Sequence, residues 1–576
     1  MKKIVSSLII VFLLVSLLSA KENYVIRMQI TPHKEMSKSI FNKNTLVFTN
    51  TGASSSLSGI LSSVSGLDLR SYGVPGSLAT VSVRGGSASQ TLVAVEDVPL
   101  NSAQNGLFDL SLFPASGFNR VDIVKGGGSS IFGANASSGY VNFLAARPMT
   151  TLFLFSTYYG SFGHFRLMAD TSLKMKKNLL FRILGDVETC KNDFSYTNEG
   201  ESLRRINAGF TNYHLFGSAD YKNGVWSTRF TSFFNHKTKG MPGSASVQNP
   251  LSFQKDSFFF SSWKLVFYVP LVTESLVSWT YSYNRYYDPL MVTGVLDDTH
   301  KTGQLFCALS QEFEKGFLSF RYGVEDRFNT LDSTVVSNRK RNLFSHFISG
   351  QASLLKSKLK LSARYRHEIS SVYEPVLNWN SGINWEIGKR TVVRANIGTS
   401  FREPTFNDLY WPEDAFSKGN PGLVPETSLN IDGGVENRLF AFLVLKISVF
   451  RNDYTDLILW SPGAGGKWSP ENISKASHQG AEAEMEIGWK ERIKTGFNFT
   501  KLYAINKEEG QYYGKYLPNI PFDKFSMNMT GSLGKFRMNA GFQFRGFSYT
   551  TKANTVSQAT ISKEEYKLNA SVGYMP

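Results

Sequence analysis

Two cysteines and eight histidines in 576 residues are too few for a disulfide framework or a cysteine–histidine metal centre. Cys190 and Cys307 lie far apart, each in a strand-like segment. After the first twenty residues no apolar run is long enough for a membrane helix. Acidic residues are fewer than basic ones, 46 against 62, giving a formal net charge of +16. That excess is spread along the chain rather than gathered in a patch, which argues against a nucleic-acid partner. Loops facing lipopolysaccharide, or an anionic substrate, account for it equally well. No G-x-S-x-G elbow or comparable catalytic signature occurs, so no catalytic residue is assigned and the chain does not read as an enzyme.

What is present begins with Met1-Lys2-Lys3, an apolar run from Ile4 to Leu18, and Ser19-Ala20. This is the pattern of a secretory signal peptide over residues 1–20, and no cysteine follows to suggest a lipoprotein. The exported chain is rich in aromatics, with 45 Phe and 25 Tyr. Only helices and closed barrels can span a bilayer, because every backbone polar group there needs a partner. The choice lies between a large soluble secreted protein and a barrel.

From about residue 151 the pattern has period two. Leu359-Lys360-Leu361-Ser362-Ala363-Arg364-Tyr365-Arg366 alternates without a break, as do residues 393–397 and 536–545. Arginines take one side and Phe, Leu and Met the other, which suits lipid outside and water inside. Short links at 176–178, 222–224, 314–316 and 533–535 alternate with long polar stretches near 190–212, 236–257, 285–303, 400–428, 455–478, 503–523 and 547–565. Short turns at one end and long loops at the other mark an outer-membrane barrel, of about 20 visible strands over residues 151–576.

Residues 44–150 read instead as a small α/β domain. Leu57, Ile60, Leu61 and Val64 share one helical face within residues 54–73, with Gly66 as the stop. Strands follow at 80–83, 92–95 and 121–124. The stretch VDIVKGGGSSIFGANASSGYVNF, residues 121–143, has a glycine run after a strand, yet both nucleotide templates fail. Ala134-Asn135 replace the lysine and hydroxyl of the phosphate loop, and Ile131 stands where the dinucleotide fingerprint needs its third glycine.

The motifs in order resemble a TonB-dependent outer-membrane transporter. Residues 60–69 are similar to the family's helix followed by "pGv". Val81-Ser82-Val83-Arg84-Gly85-Gly86 resembles "iRG". Residues 93–101 resemble "vliDGvpln", with Glu96-Asp97 in place of Asp-Gly. Residues 118–126 resemble "ieRIEVirG", and 129–142 resemble "SalyG" and "AiGGvIN". Residues 401–410, with Gly419-Asn420-Pro421 and Pro425-Glu426, resemble "fraPtlneLy…g.gNp.LkPE". The resemblance implies a mainly β protein: an antiparallel barrel of the 22-stranded type holding an N-terminal α/β plug, with the glycine run packing plug backbone. The family usually continues two strands past residues 566–574 to a terminal aromatic. This chain stops at Met575-Pro576, read as either truncated or replaced.

The resemblance also implies a TonB box, a segment that pairs with TonB as an added strand. Residues 44–49 read better as the first plug strand. That leaves residues 21–43, with Tyr24, Val25 and Ile26 as the TonB contacts, an ordinary tail being the alternative. A plug–barrel lock is expected from Arg84 and Arg120 against Glu403 and Glu426, the alternative being wetted lumen charges. Plug apices at 70–77 and 101–107 make Tyr72, Asn101 and Asn105 substrate candidates, joined by Tyr410 and Trp411. Tyr286, Tyr287 and Trp460 read as stacking aromatics or as an interfacial girdle.

No cofactor or protein metal site is assigned, apart from possible loop calcium at Asp288, Asp297 and Asp298. His300 and His478 are placed in loops, and residues 338–341 form a basic loop cluster. The implied function is active import of a scarce metal chelate, cobalamin or a ferric siderophore, nearest the small cobalamin-receptor branch. The implied partners are the TonB-ExbB-ExbD complex and outer-membrane lipid and lipopolysaccharide, around a monomer. The alternative is a passive pore or non-transporting surface receptor with a degenerate C-terminus.

Overall fold

The computed structural model describes residues 43–47, 61, 64–147, 151–175, 178–269, 271–291, 294–462, 466–489, 492–557 and 561–574. The signal peptide and the TonB-box candidates Tyr24, Val25 and Ile26 lie outside these residues, as do Leu57 and Ile60 of the expected helix. Leu61, which is described, is helical and fully buried. Gly66 takes φ +74, a left-handed conformation that glycine adopts without strain.

The N-terminal unit is built from β1 (Lys43–Val47), β2 (Leu67–Ser71), β3 (Ala79–Val83), β4 (Thr91–Val95), β5 (Val98–Pro99), β6 (Phe118–Lys125) and β7 (Gly139–Ala145). Five of them form a sheet in the order β1-β6-β7-β4-β5, while β2 and β3 make a separate hairpin. β1 pairs antiparallel with β6, so the box-like segment near residue 45 is part of this sheet. β4 reads TLVAV and is buried at all five positions, as expected of a strand covered on both faces.

Around this unit twenty strands run in one closed barrel, from Leu152–Gly160 to Glu565–Tyr574. Neighbours are antiparallel and joined mostly in sequence order, so short hairpins suffice as connections. The alternation seen in the sequence sets the faces. In Leu359–Ser370, Lys360, Ser362, Arg366 and Glu368 are buried on the inner side, while Leu361, Tyr365 and Ile369 are exposed on the outer. The same outward exposure recurs at Phe230, Trp279, Leu305, Ile348, Ile431 and Val449. So much contiguous exposed apolar surface suits lipid rather than water. At the seam, where the last strand lies beside the first, all ten residues of Glu565–Tyr574 are exposed.

Two of the long polar stretches are largely strand rather than loop. Residues 285–288 and 296–303 belong to the strands Val272–Asp288 and Leu296–Lys315, and residues 455–462 and 468–478 to Leu443–Pro462 and Trp468–Trp489. An antiparallel ladder satisfies its backbone whatever its side chains are, so pairing runs on past the apolar band. His300 and His478 are therefore strand residues. His300 Nδ1 is 2.8 Å from Ser333 Oγ, and His478 is buried against Tyr454.

The plug meets the wall through aromatics. Phe113 stacks on Phe118 at 4.3 Å, and Phe118 meets the wall residues Phe216 and Phe233 edge-on at 5.5 and 6.1 Å. Rings at these separations and tilts attract beyond their buried area. This shared core fixes the plug inside the barrel and aims its two apices at the long-loop end.

Candidate functional site

The plug is fastened by a buried charge cluster. β3 is followed directly by Arg84, which takes φ 49 just before Gly85 at φ 78. Its backbone N–H donates to Gly66 O at 2.7 Å. That turn sends the guanidinium into the wall, where Nε donates to Glu482 Oε1 at 3.0 Å and a terminal nitrogen to Oε2 at 3.2 Å. The ring of Phe450 lies 4.2 Å beneath it, a cation–π contact. Lys125, at the end of β6, reaches the same place. Its Nζ donates to Ser65 Oγ at 2.6 Å, Glu484 Oε1 at 2.9 Å and Glu482 Oε2 at 3.1 Å. Ser65 Oγ also donates to Glu484. Burial works against the Arg84 charge, but Glu482 outweighs it and holds the guanidinium above its ordinary pKa.

The expected pairing is therefore corrected. Arg84 meets Glu482, not Glu403 or Glu426. Arg120 instead pairs with Asp122 two residues along its own strand, at 2.9 Å. The two predicted glutamates do touch the plug, but through amides. Glu403 accepts from Asn135 Nδ2 at 3.2 Å, and its backbone N–H donates to Asn135 Oδ1 at 3.1 Å. Glu426 accepts from Gln90 Nε2 at 2.8 Å. Both carboxylates already have wall arginines, Arg327 and Arg341 for Glu403 and Arg402 for Glu426. Glu482 and Glu484 were missed, although Ala481-Glu482-Ala483-Glu484-Met485-Glu486 sets glutamates at period two along one strand face.

The glycine run is a packing device. A Cβ at Gly127 would sit 2.1 Å from Asn430 Nδ2 of the wall, and one at Gly139 would sit 2.9 Å from Val124 O. Where a phosphate cradle would be open, this loop is filled by the wall. Beyond it, Phe132 stacks on Tyr140 at 3.7 Å, and Asn135 N–H donates to Phe401 O at 3.0 Å.

At the long-loop end the apices are gripped by loops. Asn192 Nδ2 donates to Pro75 O at 2.9 Å and Lys237 Nζ to Gly76 O at 3.0 Å. Phe406 and Asn407 donate their N–H groups to Ala103 O and Gln104 O, each at 2.9 Å. Tyr72 is 57% exposed and points away from the core. Asn105 is exposed and accepts from Leu107 N–H. Asn101 is corrected: it is buried, and its amide is consumed by Val93 N, Thr91 O and Gly106 O at 2.8–3.0 Å. It shapes the apex and offers nothing to a ligand.

The outer helix Phe406–Tyr410 starts at a capping box, in which Thr405 Oγ1 accepts from Asp408 N–H and Asp408 Oδ2 from Thr405 N–H. Arg339 lies 4.3 Å over the Tyr410 ring, and Trp411 packs with Phe406 and Val336. Trp460 Nε1 donates to Asp408 Oδ1 at 2.9 Å, and Tyr287 stacks on Phe253 at 5.1 Å. The calcium expectation finds no support. Asp297 faces Arg285 at 2.7 Å, and Asp288 accepts from Asn249 and Leu290. Among the described residues no acidic, histidine or cysteine group is arranged to hold a metal.

A lipid-faced barrel filled by its own N-terminal domain, with that domain's apices held among long loops, defines the class of plugged β-barrel receptors. The chain belongs to the TonB-dependent receptor family. The family described as "TonB dependent receptor-like, beta-barrel" matches residues 131–575, and the "TonB-dependent Receptor Plug Domain" matches residues 34–140.

Among curated relatives, the vitamin B12 transporter BtuB of Vibrio vulnificus is 27% identical over 461 residues, covering 74% of this chain and 69% of that protein. BtuB of Photobacterium profundum is 23% identical over 514 residues, covering 87% and 80%. Among solved structures, the siderophore receptor PirA of Acinetobacter baumannii superposes with TM-score 0.76 at 14% identity, over 95% of this chain and 93% of that one. A mutant of the ferric enterobactin receptor PfeA of Pseudomonas aeruginosa gives 0.77 at 16%, over 94% and 92%. At these identities the structural likeness speaks for the fold alone.

Proposed function

We propose that the protein is an outer-membrane importer that takes up a metal chelate, cobalamin or a ferric siderophore, with energy supplied through TonB. The observation that carries this reading is the buried cluster of Arg84 and Lys125 against Glu482 and Glu484, which ties plug to wall with two cations and two carboxylates. A passive pore has no use for such a fastening, because it closes the lumen at rest. In a buried cluster, removing one charge leaves its partner uncompensated at a cost of about 3–5 kcal/mol. The lock is therefore strong enough to hold unaided and breakable by an external pull.

Ligand binding falls to Tyr72, Asn105, Tyr410 and Trp411 at the outer end, where plug apices and loops already touch. Closure of the loops on a ligand moves the apices through the bonds from Ala103 and Gln104 to the outer helix. Residues 21–43 carry the TonB contact, at Tyr24, Val25 and Ile26. TonB, driven by ExbB and ExbD, pairs with that segment and pulls the plug. The BtuB relatives support cobalamin, and the receptor-like fold is equally compatible with siderophores. The protein acts as a monomer in an outer membrane carrying lipopolysaccharide.

The test is uptake of radiolabelled cyanocobalamin and of ferric chelates by cells expressing the protein with and without TonB. The expected result is accumulation of one chelate only when TonB is present, with a crosslink from Val25→Cys to TonB. Equal accumulation in both strains, with no crosslink, overturns the reading in favour of a passive pore.

A further inference from the structure

The inner wall of the barrel is divided by charge. On Leu318–Ser333, Arg339–Leu354 and Leu359–Ser370 the lumen side carries six arginines, Arg321, Arg327, Arg339, Arg341, Arg364 and Arg366, against two glutamates, Glu325 and Glu368, both paired with Arg366. The ladder register puts these arginines in succession. Arg339 is level with Leu331, Arg341 with Asn329, Arg327 with Leu343 and Arg366 with Phe347, while Arg321 and Arg364 both pair with Ser349. The series runs from the outer helix to the short-turn end, roughly 30 Å of strand. Across the lumen, Glu426–Phe440 and Trp468–Trp489 carry Glu426, Asp432, Glu436, Glu482 and Glu484, with Arg402, Arg394 and Lys446 of neighbouring strands paired to three of them.

The plug respects this division. Its buried cations, Arg84 and Lys125, are bound on the acidic side. Toward the arginines it turns mostly neutral groups, with Asp97 bound to Lys264 as the exception: a Cβ at Gly133 would lie 3.0 Å from Arg366, and Asn135 bonds Glu403. Below these contacts a cavity of about 360 Å³ separates plug from wall, lined by Ile131, Phe132 and Tyr140 on one side and Arg321 and Arg364 on the other. Most of the carboxylates around it are engaged. Asp97 and Glu274 hold Lys264 at 3.0 and 2.9 Å, Glu325 holds Arg366 at 2.5 Å, and Glu312 is within reach of Ser319. Arg321 donates to Ser310 Oγ at 3.0 Å, with Glu274 at 3.8 Å.

Higher on the series, Arg327 and Arg341 share a carboxylate foreign to their own strands. Glu403, at 2.8 and 3.1 Å, comes from the segment leading to the outer helix. That segment is bonded both to the plug through Asn135 and to the apex through Phe406 and Asn407. Were apex and helix to move, Glu403 would move with them and leave Arg327 and Arg341 buried without it, a state that would favour an incoming anion.

We propose that the arginine side of the wall is the path taken by an anionic chelate, with Glu403 as a tethered carboxylate holding its place at rest and the cavity as its exit. The proposal rests on the import reading and narrows it. The substrate is a metal chelate of net negative charge, presenting carboxylate or phenolate oxygens, rather than a corrinoid without net charge. A wall with an excess of one sign in low-dielectric surroundings concentrates the opposite ion along it.

The test uses the full-length protein and Arg321→Gln/Arg364→Gln, placed at the exit, far from loops and lock. In TonB-containing cells, a panel of ferric chelates graded from neutral to anionic is compared with cyanocobalamin. The expected result is uptake of an anionic chelate that falls about tenfold in the variant, with unchanged binding of that chelate to the purified protein. Undiminished uptake in the variant, or uptake of neutral compounds alone, overturns the path.

A second measurement stands apart from transport. Crystals soaked in bromide should show anomalous sites beside Arg321 and Arg364 that the variant loses. Bromide found only elsewhere overturns the path as well. Absence of any TonB-dependent uptake refutes the import reading instead, and the bromide result then judges the arginine path by itself.

Discussion

At the scale of single residues, fastening and close approach dominate. Arg84→Ala removes one cation from a cluster that is nearly dry. It should cost the plug's attachment about 3–5 kcal/mol, read as a lower urea midpoint for hydrogen exchange in β3. Because Arg84 and Glu482 share two bonds, Arg84→Ala combined with Glu482→Gln should cost much less than the sum of the single changes. Gly139→Ala places a Cβ 2.9 Å from the carbonyl of Val124. Backbone cannot step aside, so a loss of about 1–3 kcal/mol is expected by the same exchange measurement.

Asp68 supplies a pH dependence. Burial raises its pKa, but Lys524, Arg545 and Arg70 outweigh burial and hold the carboxyl well below the usual range. A depressed folded-state value means that the contribution is complete above the unfolded value of about 3.9 and drains away as the pH falls below it. The stability gap between the native protein and Asp68→Asn should therefore be full at neutral pH and narrow in acid. A gap independent of pH would show that the carboxylate's charge is not what matters. Arg84 was legible in its sequence motif, but its partner was not. Several glutamates qualify by sequence, and only the turn at Gly66 and Gly85 decides which one the guanidinium reaches.

At the scale of elements, the outer helix Phe406–Tyr410 is short and owes its start to the Thr405–Asp408 box. Thr405→Ala should destabilise it by about 1 kcal/mol, visible as faster proteolytic nicking of residues 403–425, while Thr405→Ser keeps the cap and the native rate. The strands themselves were readable from their alternation, because a period of two with arginine on one side has few other meanings. Their ends were not. Residues 285–288, 296–303, 455–462 and 468–478 are polar enough to pass for loops, yet they lie in paired strands, since ladder bonds take no account of side-chain polarity. His478 moved from a supposed loop to a buried strand position for this reason.

At the scale of the whole molecule, plug and barrel are held by different forces. In lipid, a barrel cannot lose a ladder bond without leaving polar backbone unsatisfied. The plug is attached by scattered contacts rather than by a continuous ladder: the charge cluster, the phenylalanine contacts, the apical bonds and a few backbone bonds such as Asn135 N–H to Phe401 O. Denaturant should therefore unfold the detergent-solubilised protein in two steps, with plug amides exchanging at lower urea than wall amides. A single coincident transition would contradict this. Within the wall, the fully exposed last strand at the seam should be the first to exchange.

The sequence by itself determined the class of fold: alternating strands too numerous and too apolar outside for a soluble sandwich, led by a glycine-punctuated α/β domain. These are properties of local periodicity and composition, which each segment carries within itself. The tertiary structure decided which charges meet. Closing twenty strands around the plug brings Arg84 beside Glu482, 398 residues away, turns Asn101 inward, and sorts arginines and glutamates to opposite sides of the lumen. Register and curvature set those distances, and neither is written in any one stretch of chain.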